Sequence, residues 1–401
     1  MNFPSTGVPG AAADARLVLL EGSRAIAAVL RREADQAERD SRLTQAAAQA
    51  LRDAGLFRLG VPRRFGGYEA SPATCLDVTA EVGQACPSGA WIVAITYAAQ
   101  VLAASFGERA CHDMWAEGAD SPMCGVFGGA GVTAERADGG LLVSGAWSWA
   151  SGCYQAKWAL ISVPLPATDG AQPDQGLALV PVSDLTIKDT WDMAGMRGTG
   201  SNTLLGARVF VPDYRLRTFA DILEGRGGTA PGPLYTIPVG SLIVTLMGPL
   251  LGIGREVFRM TMETVESGKP LTASVYRSLA DSPSVQAALA NAATLIDSAH
   301  LHLARSAEFV GAEAEAGSTP GLVERARARM DVGYASTCLC EAVQLLLTVN
   351  GAGSFARANV FQRYWRDLET AARHPSLNPE LAKEMYGRAL VDNQQPVSHM
   401  L

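Results

Sequence analysis

The chain has 401 residues, 48% hydrophobic and 18% charged, which is the composition of a well-packed globular protein with room for two or three domains. A formal net charge of -7 and a pI near 5.4, without any Lys/Arg run, argue against nucleic acid or an anionic membrane as partner and favour small molecules. The seven cysteines are odd in number, scattered and free of any CxxC pair, so reduced thiols in a cytoplasm are expected rather than a disulfide framework or a metal site.

Residues 1–119 read as a helical domain. The apolar patch Leu17–Leu20 is too short for a signal peptide and runs into Glu21 and Arg24. Leu43, Ala47, Ala50, Leu51 and Ala54 give one helical face, with Asp40 or Ser41 as the expected N-cap and Gly55 placed to end the helix. A loop holding Pro62 and Gly66-Gly67 follows, then a second helical run from Ala73 to about Trp115, interrupted at Cys86-Pro87-Ser88-Gly89.

In residues 120–225 the period changes. Leu141–Ser144, Trp158–Val163, Leu177–Val182 and Ala207–Val211 are β-rich runs between Gly, Asp, Asn and Pro clusters, which predicts an antiparallel β-domain. Residues 226–401 return to helix, with 3.6-residue periodicity at Leu250–Ser267, Ser284–Ala314 and Gly321–Val349. The uncharged stretch from Gly227 to Gly254 carries Pro231, Pro233, Pro238 and Pro249, and reads as a helix buried in a bundle rather than a membrane span. Thr229–Pro238 is a candidate substrate-facing loop.

Two segments of the β-domain carry the chemistry. Gly145-Ala-Trp-Ser-Trp-Ala-Ser-Gly152 and Asp189-Thr-Trp-Asp-Met-Ala-Gly-Met-Arg-Gly-Thr-Gly-Ser201 each set small hydroxyl and glycine residues beside tryptophan. Indoles offer planar apolar walls, and hydroxyls and main-chain N–H groups bond ring heteroatoms, which suits a flat cofactor such as a flavin. In that reading Arg197, Thr199, Gly200 and Ser201 lie against the flavin phosphate or ring edge. No GxGxxG follows a strand, so a Rossmann site is not expected.

The order helices, strands, helices, these two motifs, and the C-terminal Phe361-Gln-Arg-Tyr-Trp-Arg-Asp367 with Ala371-Ala-Arg-His374 resemble the acyl-CoA dehydrogenase fold. Within it the chain is similar to the two-component flavin monooxygenases, whose oxygenase components act on phenols, dibenzothiophene and amino sugars. The resemblance implies an α+β protein with an N-terminal helical domain, a middle β-domain and a C-terminal helix bundle that forms a homotetramer. It also implies reduced flavin, FMN or FAD, delivered by a separate reductase, and dioxygen, which together form a C4a-hydroperoxide. Gly145, Trp149 and Ser151 match positions of the fold's flavin motif, so Ser151 is implied as the partner of flavin N5, with Trp149 and Gly152 beside it. Dehydrogenases of the fold often carry a catalytic glutamate after an Arg-Asp pair. Here Arg366-Asp367 is followed by Arg373-His374-Pro375, and the monooxygenase branch shows a histidine at this point. His374 and Ser151 are therefore the implied catalytic pair, holding the peroxide and its proton.

Trp91 matches a tryptophan that lies against flavin or substrate in these monooxygenases, and Tyr97 is a second candidate substrate contact. Phenol hydroxylases of the group carry a histidine about two turns after that tryptophan. Here Ile92 to Gln100 contains none. That gap favours an amine nitrogen, which needs no deprotonation, over an electron-rich ring. An acyl-CoA dehydrogenase and a catalytically silent scaffold are the competing readings. His300 and His302 fall on different faces of a helix, and Arg325, Arg327 and Arg329 with Glu324 and Asp331 read as a solvated face. Abundant Ala, Gly and Arg suggest a GC-rich genome, which fits a natural-product substrate.

Overall fold

The structure is a computed structural model that describes residues 11–166, 174–225, 232–318, 320–393, 395, 397 and 398. It begins with five helices: α1 (Ala11–Asp40), α2 (Gln45–Asp53), α3 (Pro72–Gly83), α4 (Pro87–Ala104) and α5 (Glu108–Trp115). Asp40 is the last residue of α1, so neither it nor Ser41 caps α2. Thr44 does, accepting from the Ala47 N–H at 3.1 Å, because the chain first turns through Ser41 at φ 51. Gly55 does adopt the left-handed conformation, φ 74. The break before α4 is capped by sulfur: Cys86 Sγ accepts from the Gly89 N–H at 3.3 Å, and Pro87 occupies the first helical turn, where its missing N–H costs nothing. α4 is buried on nearly every side, which explains its lack of a polar face.

Among the described residues eight strands form two four-stranded sheets. β1 (Met123–Val126), β4 (Trp158–Leu165), β5 (Asp174–Pro181) and β8 (Leu216–Thr218) make one. β2 (Ala130–Ala137), β3 (Gly140–Ala150), β7 (Asn202–Pro212) and β6 (Thr186–Lys188) make the other. The expected antiparallel domain needs one correction, since β1 and β4 pair in parallel. The chain leaves β1, builds β2 and β3 in the second sheet, and returns to β4 by a crossover, a connection long enough to let the two strands run the same way. Leu141, Val143, Trp147, Ile161, Val163, Ala178 and Leu204 fill the space between the sheets.

The remaining helices are α6 (Phe219–Leu223), α7 (Val239–Leu242), α8 (Gly248–Glu266), α9 (Pro283–Ala316), α10 (Leu322–Asn350), α11 (Val360–Ala371) and α12 (Pro379–Leu390). The uncharged stretch is not one helix: the described part holds tight turns at 233–236 and 243–247 around α7 before α8 begins. Pro233, Pro238 and Pro249 each sit at or beside the start of a helical turn, where a proline is tolerated. Among the described residues three helical segments, 87–104, 239–266 and 322–350, are long and apolar enough to cross a membrane by length and composition, and most of each is buried within the protein. The arginine cluster of α10 also corrects the sequence reading. Arg327 is exposed, but Arg329 is buried at 5% exposure, because α10 is packed between α9, α12 and α8 and its 329–332 turn faces inward. Asp331 pairs with Arg305 and His302 of α9 rather than with its own helix. Glu324 caps α10 by accepting from the Gly321 N–H at 2.8 Å.

Candidate functional site

The two tryptophan-rich segments meet where β3 ends. Trp149 has φ 73, unusual for a residue with a side chain, and lies within the irregular register between Trp147 and Ala150. This twist leaves the Trp149 indole 60% exposed, edge-on to Trp191 with ring centroids 5.2 Å apart. Beyond it the Gly152 N–H donates to Thr199 O at 2.8 Å and Cys153 Sγ contacts Gly200 O at 3.3 Å, tying the first segment to the second.

Beneath this aromatic wall runs a chain of buried hydroxyls. Ser151 Oγ lies 2.8 Å from Ser201 Oγ, which lies 2.6 Å from Thr199 Oγ1, and Thr199 in turn donates to Met196 O at 2.8 Å. From the other side, the indole N–H of Trp91 donates to Ser151 Oγ at 3.2 Å. The Trp91 ring also meets His374 edge-on, centroids 5.5 Å apart. One tryptophan on α4 therefore joins the β-domain serine to the histidine after α11, which lie 223 residues apart in sequence.

His374 caps the tight turn 375–377, and its Nδ1 accepts from the Ser376 N–H at 3.3 Å. With Nδ1 accepting, the neutral ring carries its proton on Nε2 and can donate from there. Burial, with a smaller push from the Arg329 charge, lowers its pKa to about 4, so the imidazole is neutral at pH 7.

The 195–201 loop is fixed from below by α11. The Asp367 carboxylate accepts from the Met196 N–H and is 3% exposed. Burial, against the pull of Met196 N–H, raises its pKa to about 7. Gly195 lies so close to α11 that a Cβ there would sit 2.0 Å from Arg366 O. Arg366 reaches Glu38 Oε1 at 2.7 Å and also bonds Ala194 O. These anchors escaped sequence reasoning, although the Arg366-Asp367 pair was conspicuous, because burial of the aspartate depends on α1 and the loop arriving together.

Two candidates fall elsewhere. The Arg197 guanidinium is occupied by Glu38 O at 3.0 Å, Ser41 Oγ at 2.8 Å and Asp192 at 2.9 Å, so it latches the loop to α1. Tyr97 is fully buried with its hydroxyl donating to Ala70 O at 2.8 Å, in a different apolar cluster from Trp91. Of Thr229–Pro238, residues 229–231 lie outside the described residues, and Pro238 lines a narrow cleft with Ser241 and Val244.

An exposed aromatic pair, a buried row of hydroxyls and a neutral imidazole joined to that row through Trp91 fit a flavin, whose ring is planar and edged with hydrogen-bonding atoms. Profiles of the acyl-CoA dehydrogenase N-terminal and C-terminal domains match residues 14–118 and 244–379. The oxygenase subunit HsaA of a flavin-dependent monooxygenase from Rhodococcus jostii is 32% identical over 371 residues, 90% of this chain and 95% of that protein. The oxygenase component of an FADH2-dependent resorcinol hydroxylase from Rhizobium sp. is 32% identical over 378 residues, 91% of this chain and 92% of its own. XiaF from Streptomyces sp., solved with FADH2 and glycerol, superimposes with a TM-score of 0.90 at 30% identity, covering 96% of this chain and 98% of XiaF. The fold is that of the acyl-CoA dehydrogenases. The chain belongs to the oxygenase subunits of two-component flavin-dependent monooxygenases, and is an oxidoreductase that uses flavin and O2.

Proposed function

We propose that this oxygenase component receives reduced flavin from a separate reductase and directs one oxygen atom of O2 into an electron-rich aromatic molecule. The observation that carries this reading is the link through Trp91, whose indole contacts both Ser151 and His374. Bound reduced flavin supplies the electrons that activate O2. Ser151 holds a buried hydroxyl, where a hydrogen bond to a cofactor edge is strong, and the Ser201–Thr199 chain orients that hydroxyl. His374 offers a neutral Nε2–H donor at pH 7 and keeps its ring fixed by Ser376 and Trp91. The segment's buried carboxylate, Asp367, is spent on Met196 N–H, which disfavours a dehydrogenase role for it.

Relatives named for resorcinol and p-hydroxyphenylacetate support an aromatic substrate. Oxygenation of an amine nitrogen is the second reading, favoured by the lack of a histidine along α4. The test is to supply enzymatically reduced FMN or FAD with O2 and compare phenols with aliphatic amines, measuring product against hydrogen peroxide. Turnover of amines alone would replace the aromatic reading. We also infer a homotetramer assembled through the C-terminal helices, supported by Leu301 at 70% exposure on α9 and Leu390 at 60% at the end of α12. Seven free cysteines, six of them buried, support a cytoplasmic location.

A further inference from the structure

Met196 has φ 53, a left-handed backbone that a residue with a side chain seldom adopts, and both of its main-chain polar groups are engaged. Its N–H donates to the Asp367 carboxylate, while its C=O accepts from the Trp191 indole N–H at 3.0 Å and from Thr199 Oγ1 at 2.8 Å. A carbonyl oxygen has no proton to give, so the proton in that last contact belongs to Thr199.

The direction of the remaining hydroxyls follows from this one. Thr199 Oγ1 lies 2.6 Å from Ser201 Oγ, and two oxygens this close need a proton between them. Thr199 has spent its own, so Ser201 donates. Ser201 Oγ lies 2.8 Å from Ser151 Oγ, and by the same count Ser151 donates. Ser151 also accepts the Trp91 indole N–H at 3.2 Å. A hydroxyl has one donor and two acceptor positions, so Ser151 keeps one lone pair and no proton for a ligand. All three hydroxyl residues are buried, which keeps bulk water from competing for these protons.

We propose that Thr199 is a positioning residue that makes Ser151 an acceptor toward the flavin, and that the site thereby selects reduced over oxidised flavin. The inference rests on the reading that Ser151 meets the flavin at N5, and deepens it by naming the redox form that the serine accepts. Oxidised flavin carries a bare nitrogen at N5, itself an acceptor, whereas reduction places a hydrogen there and makes it an N–H donor. The free lone pair of Ser151 bonds the second and repels the first.

The test is binding, without turnover. Full-length protein is titrated by calorimetry with oxidised FMN or FAD, and with the same flavin chemically reduced under anaerobic conditions. The wild type should bind the reduced form about 10–100-fold more tightly. That preference raises the midpoint potential of the bound flavin by about 30–60 mV over the free flavin. Thr199→Val keeps the shape of the side chain but removes the anchor, so Ser201 and Ser151 can turn their protons. The oxidised form should then gain affinity and the preference should shrink about tenfold. Thr199→Ser restores the hydroxyl and should keep the wild-type ratio. Ser201→Ala frees the Ser151 proton directly and should shrink the preference as Thr199→Val does, which carries the test if the valine variant does not fold.

A wild type with no preference for the reduced form overturns the proposal. So do equal losses for both forms in Thr199→Val, which would make the threonine merely structural, or an unchanged ratio in Ser201→Ala. A wild type that binds neither form would remove the flavin reading of Ser151 and this proposal with it. Because no substrate is present, failure to oxygenate phenols would count against the aromatic reading alone.

Discussion

His374 stands edge-on to Trp91 at 5.5 Å between ring centroids, and the same indole donates its N–H to Ser151 at 3.2 Å. One indole therefore contacts both the histidine and the serine. Replacing His374 with Ala should leave folding and flavin binding nearly intact while product falls and hydrogen peroxide rises, because the Nε2–H donor is gone. The loss for a positioned acid/base group is about 10²–10⁴-fold. An unchanged ratio of product to hydrogen peroxide would return His374 to a purely structural role.

Ser151→Ala removes the acceptor for a buried indole N–H as well as the hydroxyl itself. Leaving that N–H without a partner should destabilise the protein by about 1–3 kcal/mol. Hydrogen peroxide release should rise more than flavin affinity falls. Trp91→Phe keeps a ring against His374 but has no N–H, so it should uncouple less than the serine variant; a larger effect from Trp91→Phe would make the ring, rather than the hydroxyl, the dominant element.

The pH dependence of stability should carry two opposed slopes. The His374 pKa is lowered from 6.5 to about 4, so only the unfolded chain takes up that proton between those values. Stability therefore falls as pH drops from 6.5 toward 4, by about 3 kcal/mol. The Asp367 pKa is raised from 3.8 to about 7, so the folded chain holds the extra proton, and stability falls as pH rises across that window. Asp367→Asn keeps an oxygen for the Met196 N–H and should abolish only the second slope, leaving the variant at least as stable as the wild type at pH 7. Asp367→Ala should lose the anchor and weaken flavin binding. Denaturant melts from pH 4 to 8 separate these outcomes, and an Asp367→Asn profile identical to the wild type would remove the aspartate from the account.

Helices α3 and α8 touch at glycine. A Cβ on Gly252 would lie 2.4 Å from Ala80 O and 2.8 Å from Gly83 Cα. Gly252→Ala should therefore cost about 1–3 kcal/mol by pushing the helices apart, read as a lower midpoint in urea. No loss of stability would mean the crossing is looser than its distances indicate.

Light scattering at micromolar concentration should report a tetramer. Leu301→Glu and Leu390→Glu, each placing a charge on an exposed apolar position of the C-terminal helices, should shift the population toward smaller species. A monomeric wild type would contradict the assembly.

The three-part order of helix, strand and helix was legible in the residues because period and turn chemistry are local properties. Leu250–Ser267, Ser284–Ala314 and Gly321–Val349 coincide closely with α8, α9 and α10. Ser151, Ser201 and Thr199 were equally visible, since hydroxyls, glycines and tryptophans cluster within each segment. Tertiary structure alone decided which side chains had work left to do. Tyr97 and Arg197 looked available and are consumed by Ala70, Glu38 and Ser41, whereas Arg329 looked solvated and is buried without a partner. Periodicity places a residue on a helix face, but what that face meets depends on elements hundreds of residues away, and burial sets whether a charge is solvated, paired or left without a partner.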